Sequence, residues 1–228
     1  MNGSFPRVLA GVLPVAFVIT ACSGGGPASV RTTPAPDAGP VRRLSPAEMV
    51  RADSGRPPYT RADVHFMSGM IGHHAQAVLI AGWAPTHGAG PSVRALCERI
   101  VVAQRDEIGL MQGWLRARRE TVPAADGSSG HQMPGMDHAM MMPGMLTAEQ
   151  LEQLDRARGA EFDRLFLTFM IQHHQGALTM VDQLMNAHGA AQDDTVFKFA
   201  ADVSADQSTE IDRMQLMLDA LAGKPAAR

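Results

Sequence analysis

The spacing of apolar and polar residues predicts long amphipathic helices that carry a histidine on the apolar face. Between residues 163 and 181, the residues that recur every three or four positions, as on one helix face, are Asp163, Leu167, Met170, His174, Ala177 and Val181. Between residues 63 and 81, they are Asp63, Met67, Met70, His74, Ala77 and Ala81. Adjacent residues lie about 100° apart around a helix, so His73 and His173 are expected to flank the inner stripe.

The two segments are copies of each other. Asp, Met-Ile, His-His and Ala recur at identical offsets, and each copy precedes a second repeated pattern: Gln104-x-x-Glu107-x-x-x-Met111 and Gln207-x-x-Glu210-x-x-x-Met214. Repetition at a fixed spacing indicates an internal duplication. Each half supplies one inward histidine and one inward glutamate. The sequence therefore predicts an all-α four-helix bundle of two equivalent halves, with His74 opposite His174 about a pseudo-twofold axis.

Capping residues and helix breakers set the expected limits of the helices. A short capped helix is expected at the start of each half, beginning at Ser45 and at Thr147. Thr60 is the expected N-cap of the first long helix, and Gly90-Pro91 begins the second. The expected limits of the four long helices are about 60–84, 90–119, 160–188 and 193–221.

The N-terminal residues indicate export. Arg7 precedes an apolar run from 8 to 21 that is too short to cross a bilayer, which is typical of a signal peptide. Ile19-Thr20-Ala21-Cys22 resembles the bacterial lipobox, which implies cleavage before Cys22 and lipidation of its thiol; ordinary secretion with cleavage nearby is the alternative. The expected divisions are a signal peptide (1–21), a flexible tether (22–43), the first half (44–120), a Met/His-rich linker (121–146) and the second half (147–222).

The repeated motifs identify a family resemblance. The pattern D-x-x-F-x-x-x-M-I-x-H-H-x-x-A, followed by Q-x-x-E-x-x-x-M, resembles the bacterial domain-of-unknown-function family 305 over roughly residues 44 to 220. The resemblance implies a ferritin-like four-helix bundle that is secreted or anchored outside the cytoplasm, with copper bound by some members. It does not imply enzymatic activity.

Composition narrows the possible partners. Hydrophobic residues make up 45% of the chain but aromatic residues only 5%, so aliphatic side chains and 16 methionines must fill the core. The formal charge of −3 is spread without long runs, which argues against nucleic acid as a partner. After cleavage Cys97 is the one cysteine besides the lipidated Cys22, and its position on an apolar stripe favours a buried thiol over a metal ligand.

The linker is the most metal-like part of the sequence. Thioethers are soft donors that suit Cu(I) or Ag(I), and imidazole also accepts Cu(II). Proline and glycine interrupt any helical period here, so burial does not explain all six methionines together. The alternative is a plain, disordered linker, or one in which some methionines pack across the end of the bundle. The candidate ligands in the linker are His131, Met133, Met136, His138, Met140, Met141, Met142 and Met145.

The inward side chains His74, His174, Glu107 and Glu210 allow two interpretations. Dinuclear carboxylate sites in helix bundles take Glu-x-x-His from single helices, whereas here histidine and glutamate are on different helices. Histidines bonding across to Glu210 or Glu107, with Gln104 and Gln207 nearby, would satisfy the buried groups without a metal. We therefore favour a structural network, with a metal site as the alternative.

The residues beside the inward stripes could bind copper or simply pack at the edge of the core. Flanking His73 and His173 are expected to be partly exposed and to form Met/His pairs with Met70, Met170 and Met180. Asp63 and Asp163 stand at helix starts, which favours capping over acid–base chemistry.

Taken together, these features favour a lipid-anchored copper-binding protein outside the cytoplasm, serving copper storage, buffering or resistance, with Cu(I) preferred and the membrane contacted through Cys22. Two other classes remain open: a metal-dependent oxidoreductase that uses the inward His/Glu residues, and an envelope interaction protein without metal. No further catalytic motif is present in the sequence, so an enzyme is the less favoured class.

Overall fold

A computed structural model of the protein describes residues 58–126 and 142–223. Within those ranges every regular element is an α-helix: α1 (Arg61–Ala81), α2 (Pro91–Ala117), α3 (Ala148–Arg156), α4 (Ala160–Asn186) and α5 (Asp194–Leu221). The predicted all-α bundle is therefore confirmed. No helix in the described ranges is long and apolar enough to span a membrane. The signal peptide, Cys22, the tether, the helix predicted at Ser45, and linker residues His131, Met133, Met136, His138, Met140 and Met141 lie outside the described residues.

The predicted capping residues begin the helices. Thr60 and Asp63 form a reciprocal capping box, in which the Thr60 hydroxyl accepts from the Asp63 amide and the Asp63 carboxylate accepts from the Thr60 amide. Thr147 and Gln150 repeat that arrangement at α3. Helix α1 ends three residues earlier than predicted because the amides of Trp83 and the next residue bond three residues back, so the last turn tightens.

Two aspartates connect the halves at their ends. Asp163, on α4, accepts the Gly90 amide at the start of α2 at 3.1 Å from each carboxylate oxygen. Asp63, on α1, accepts the Ala191 amide just before α5 at 2.7 Å. The first long helix of each half thus accepts a backbone amide at the start of the other half's second long helix. This exchange makes α1 antiparallel to α4, and α2 antiparallel to α5.

A layer of polar side chains separates two apolar clusters within the bundle. On α4 the first cluster reaches Met170 and the second begins at Ala177. On α2 the corresponding gap runs from Ile100 to Ile108. We call the side chains between the clusters the polar layer: His73, His74, Gln104, Glu107, His173, His174, Gln207 and Glu210. The repeated motifs therefore fall at one level of the bundle.

The 142–146 segment, the end of the predicted linker, is docked against α1 and α4. The Gln76 side chain exchanges two hydrogen bonds with the Leu146 backbone, at 2.8 and 3.2 Å. Met145 is 3% exposed, and Met142 is partly buried against the core. Packing therefore accounts for these two methionines, in agreement with the alternative that some of the linker methionines pack on the bundle.

Gly176 allows that close approach. A Cβ atom at this position would lie 2.0 Å from the Pro143 carbonyl oxygen, well inside van der Waals contact. Glycine within a helix costs about 0.5–1 kcal/mol relative to alanine, so the close backbone contact is the reason to have glycine here.

We therefore expect Gly176→Ala to lower the free energy of unfolding by about 1–3 kcal/mol, because the 142–146 segment must move away from α4. Gly113→Ala is the matched control, since a Cβ there meets nothing within 4 Å. It should leave stability unchanged or raise it by up to about 1 kcal/mol. Urea unfolding followed by circular dichroism measures both, and equal effects of the two substitutions would contradict the docking.

Candidate functional site

All four repeated histidines are fully buried, each with 0% exposure. His73 and His173 face each other across α1 and α4, with ring centroids 3.8 Å apart and ring planes inclined by 36°. The expectation that these two are partly exposed is therefore wrong. They flank the stripe of their own helix, but α1 packs against α4 on that side, and the 142–146 segment lies over them.

His74 and His174 pair with the inward glutamates. The Nε2–H of His74 donates to Glu107 Oε2 at 2.7 Å, and that of His174 donates to Glu210 Oε2 at the same distance. Each pair forms within one half, so of the two glutamates left open by the sequence, His74 bonds Glu107 and His174 bonds Glu210. Equal geometry in both halves agrees with the predicted pseudo-twofold relation, and both histidines point inward as predicted.

The hydrogen bonds of the polar layer do not pair all of its buried polar atoms. The buried side-chain atoms in it that have no hydrogen-bond partner within residues 58–126 and 142–223 are Nδ1 of His73, His74 and His174, both ring nitrogens of His173, and Oε1 of Gln104 and Gln207. A buried polar atom without a partner costs about 1–3 kcal/mol. The expectation that the network would satisfy these groups is therefore contradicted in part, and the unpaired atoms indicate a role in binding.

Electrostatics keep the facing imidazoles neutral. Burial, reinforced by neighbouring His74, lowers the pKa of His73 to about 3. Burial and neighbouring His73 also lower the pKa of His173 well below its usual value. His73 Nε2 donates to the Pro143 carbonyl oxygen at 3.0 Å, so its Nδ1 carries the free lone pair. A neutral imidazole with a free lone pair is the form that binds metals.

Thioethers lie near this histidine pair. The Met142 sulfur would be 3.1 Å from a Cβ on Gly69, about one helical turn before His73, and the Met180 methyl would be 3.3 Å from the same point. Met70 and Met170 are fully buried one turn before His74 and His174 on their own helices. Met70, Met142 and Met180 belong to the second apolar cluster and Met170 to the first, so the predicted methionines lie on both sides of the polar layer.

The donor set fits a soft metal better than a hard one. No group of three or more His, Cys, Asp or Glu side chains within the described ranges is placed to hold a metal ion. A metal at His73 and His173 would therefore need thioether ligands, which favour Cu(I) or Ag(I). Cys97 is buried as predicted, and burial raises its pKa to about 12, so it stays a protonated thiol.

The sequence did not indicate how the histidine pair is covered. Pro143 and Gln76, which position the 142–146 segment, were not among the predicted site residues. The repeated Met-Pro-Gly-Met pattern was the available signal, because proline and glycine in sequence mark a tight turn. That turn now places the Pro143 carbonyl oxygen against His73.

Fold and site together define a duplicated, antiparallel all-α bundle with a buried layer of histidine, glutamine and glutamate. The chain belongs to the DUF305 family, since the family described as "Domain of unknown function (DUF305)" matches residues 63–218. No curated protein matches the chain.

Three solved structures show the relation in detail. A DUF305 protein from Streptomyces coelicolor, described as secreted, is 26% identical with a TM-score of 0.60, covering 73% of this chain and 97% of that one. A DUF305 fragment from Deinococcus radiodurans is 27% identical with a TM-score of 0.60, covering 72% and 99%. CopM in its Cu(II)-bound form is 28% identical with a TM-score of 0.54, covering 69% and 96%. CopM has also been crystallised in Cu(I)-bound and silver-bound forms.

The His–Glu pairs generate a stability prediction. Glu107→Ala should lower the free energy of unfolding by about 1–3 kcal/mol, because it leaves the His74 Nε2–H buried without an acceptor. Glu210→Ala should cost about the same, since the two pairs have equal geometry. Asp106→Ala, which removes an exposed carboxylate from α2, is the control and should change stability little. Chemical denaturation compares all three, and a Glu107→Ala protein as stable as the control would refute the role of the pair.

Acid should destabilise the protein through the facing histidines. Because the pKa of His73 falls from 6.5 to about 3, the unfolded chain binds protons between these values that the folded chain does not. The unfolding free energy is therefore at its full value above about pH 6.5 and falls as pH drops, by up to about 1.4 kcal/mol per pH unit for each such histidine. The His73→Gln/His173→Gln double variant should flatten this slope in urea unfolding from about pH 4 to 7. The control His65→Gln, at an exposed position, should leave the slope unchanged. Equal slopes in the parent, the double variant and this control would contradict the role of the facing histidines.

Proposed function

We propose that this protein binds copper, favouring Cu(I), outside the cytoplasm, where a lipid on Cys22 anchors it to the membrane. In this proposal the protein stores or buffers copper and does not turn over a substrate. The ligands come from two places: the facing His73 and His173, and the thioethers of the Met/His-rich linker.

One observation carries the proposal: both ring nitrogens of His173 are buried and have no hydrogen-bond partner among the described residues, and the ring stacks against His73, whose Nδ1 also has none there. The lowered pKa values keep both rings neutral, so protons do not compete for these lone pairs near neutral pH. Each neutral imidazole has one lone pair, on Nδ1 of His73 and on one ring nitrogen of His173, and two such nitrogens beside a thioether make a suitable donor set for a soft or borderline metal.

The linker supports the proposal by its connection to this pair. Its described end, Met142, packs against Gly69 one turn from His73, and the next residue, Pro143, accepts a hydrogen bond from that histidine. The linker's remaining soft donors precede Met142 in the sequence by one to eleven residues. They are His131, Met133, Met136, His138, Met140 and Met141.

Ligand chemistry and the related structures support copper as the metal and the exterior as the location. Cu(I) and Ag(I) share a preference for thioethers, and CopM was crystallised with both metals. Outside the cytoplasm exposed thiols form disulfides, whereas thioethers stay available as ligands. The S. coelicolor relative is described as secreted, which agrees with the export signal in this sequence.

The test is anaerobic Cu(I) competition with a chromogenic chelator, using the mature protein with the linker intact. Replacing the linker methionines Met133, Met136, Met140, Met141 and Met142 with leucine should leave the helical content unchanged and lower the number of Cu(I) ions held. His73→Gln with His173→Gln should weaken at least one Cu(I) by roughly 10–100-fold, the range seen when groups around a metal are removed.

Two controls separate ligand loss from general damage. Met185→Leu removes a 40% exposed thioether elsewhere on α4. His87→Gln removes a buried histidine that bonds Asp155, outside the polar layer. Both should bind Cu(I) as the parent does. If the linker and histidine variants also hold as many Cu(I) ions as the parent, with equal affinity, the proposal fails.

A further inference from the structure

A small cavity lies between α1, α4 and the start of the 142–146 segment. Its volume is about 100 Å³, and the side chains that line it include His65 on α1, Met180 on α4, and Met142. Sites for small organic molecules usually have volumes of roughly 300–1,000 Å³, so this cavity has the size for an ion with its ligands. His65 was not among the predicted site residues, and no step of the proposed copper binding uses it.

The ends of two methionine side chains meet beside this cavity, over Gly69. A Cβ atom on Gly69 would lie 3.1 Å from the Met142 sulfur and 3.3 Å from the terminal methyl of Met180. The two thioethers therefore reach the same point on α1 from different parts of the chain. Met180 is 7% exposed and Met142 is partly buried, so both are largely shielded from water while they border the cavity.

His65 adds an imidazole to these thioethers. It stands four residues before Gly69, and side chains four apart on a helix are neighbours, with Cβ atoms about 5–6 Å apart. The His65 side chain is exposed and lines the same cavity as the two methionines. The cavity thus combines two thioethers with one imidazole, and thioethers are the donors that select Cu(I).

The duplication indicates that this arrangement belongs to α1 alone. Gly69 and Gly72 leave α1 without side chains where Met142 lies, and the Met142 methyl would be 3.4 Å from a Cβ on Gly72. Glycine is unfavourable within a helix, so room for the thioether is a reason to have it here. The residues of α4 that correspond to His65, Gly69 and Gly72 are Leu165, Phe169 and Gln172. The second half therefore repeats the histidine pair without repeating this cavity.

Met142 connects the cavity with the facing histidines. Its methyl packs at Gly72, the residue before His73, and the next residue along the segment, Pro143, accepts a hydrogen bond from His73 at 3.0 Å. The facing histidines are fully buried, whereas His65, two helical turns before His73, is exposed. Soft donors therefore extend from the surface to the buried pair over about 12 Å of helix.

We propose that His65, Met142 and Met180 form an outer Cu(I) site, from which the ion passes to the facing histidines. This inference rests on the proposed copper binding and adds the place where copper enters. The passage is an exchange of ligands, thioether for imidazole, and the copper remains Cu(I) throughout. The outer site fills first because its ligands border a cavity at the surface, while the inner pair is covered.

The first measurement uses Ag(I), a soft ion that air does not oxidise, and mature protein with ¹³C-labelled methionine methyl groups. Competing linker donors are removed in a background variant in which Met133, Met136, Met140 and Met141 are replaced with leucine. In this background the methyl signals of Met142 and Met180, identified from Met142→Leu and Met180→Leu, should shift together along one saturation curve. The signals of Met111, buried in the same apolar cluster, and of exposed Met185 should not shift.

The third ligand has a matched control. His65→Gln should weaken Ag(I) binding at Met142 and Met180 about tenfold, the lower end of the range for groups around a metal. His188→Gln removes an exposed histidine that does not line the cavity, and it should leave the binding curve unchanged.

The second measurement tests the passage to the facing histidines. Cu(I) is supplied as a complex with a chromogenic chelator, and stopped-flow absorbance under anaerobic conditions follows its transfer to the background variant. His65→Gln with Met180→Leu should slow the transfer several-fold, because the ion loses its entry ligands. His188→Gln with Met185→Leu should transfer at the rate of the background variant.

Three results would overturn the inference: unchanged Met142 and Met180 signals, signals that respond at different Ag(I) concentrations, or equal transfer rates in the two double variants. The Ag(I) titration is repeated with His73→Gln and His173→Gln present. Shifts that persist there support the outer site even where the facing histidines prove not to bind Cu(I). Cu(I) bound by the facing histidines beside unchanged methionine signals refutes the outer site alone.

Discussion

The organisation of this protein depends on one constraint: eight polar side chains are held at one level of the bundle between two apolar clusters. Burying imidazole, amide and carboxylate groups is unfavourable unless they are paired, and only part of this set is paired. The apolar packing above and below has to keep the unpaired atoms in place. The site is therefore a consequence of the core that surrounds it.

Duplication explains most of the geometry, and the 142–146 segment is where the two halves cease to be equivalent. The His74–Glu107 and His174–Glu210 pairs are equivalent in partner and distance. The facing histidines are not equivalent, because the Pro143 carbonyl accepts from His73 while His173 has no hydrogen-bond partner in the described part of the chain. The 142–146 segment joins the two halves, so a single copy of it meets a symmetric pair, and it makes the two imidazoles chemically different.

Much of the fold could be predicted from the sequence because the determining signals are local. The capping box at Thr60 and the helix period that turns His74 inward each involve residues within a few turns of one another. The burial of His73 could not be predicted, since a helical stripe identifies one inner face and does not show that a second helix covers its side. The same limit applies to Met145, whose burial depends on where the linker docks.

The exchanged aspartates have a consequence for the origin of the chain. Asp63 and Asp163 each bond an amide of the opposite half, so a single hairpin on its own would leave both its carboxylate and its helix start without these partners. Two copies of one hairpin would complete each other. The present chain therefore has the contact pattern of an ancestral homodimer whose subunits became fused. The segment that joins them is the Met/His-rich linker.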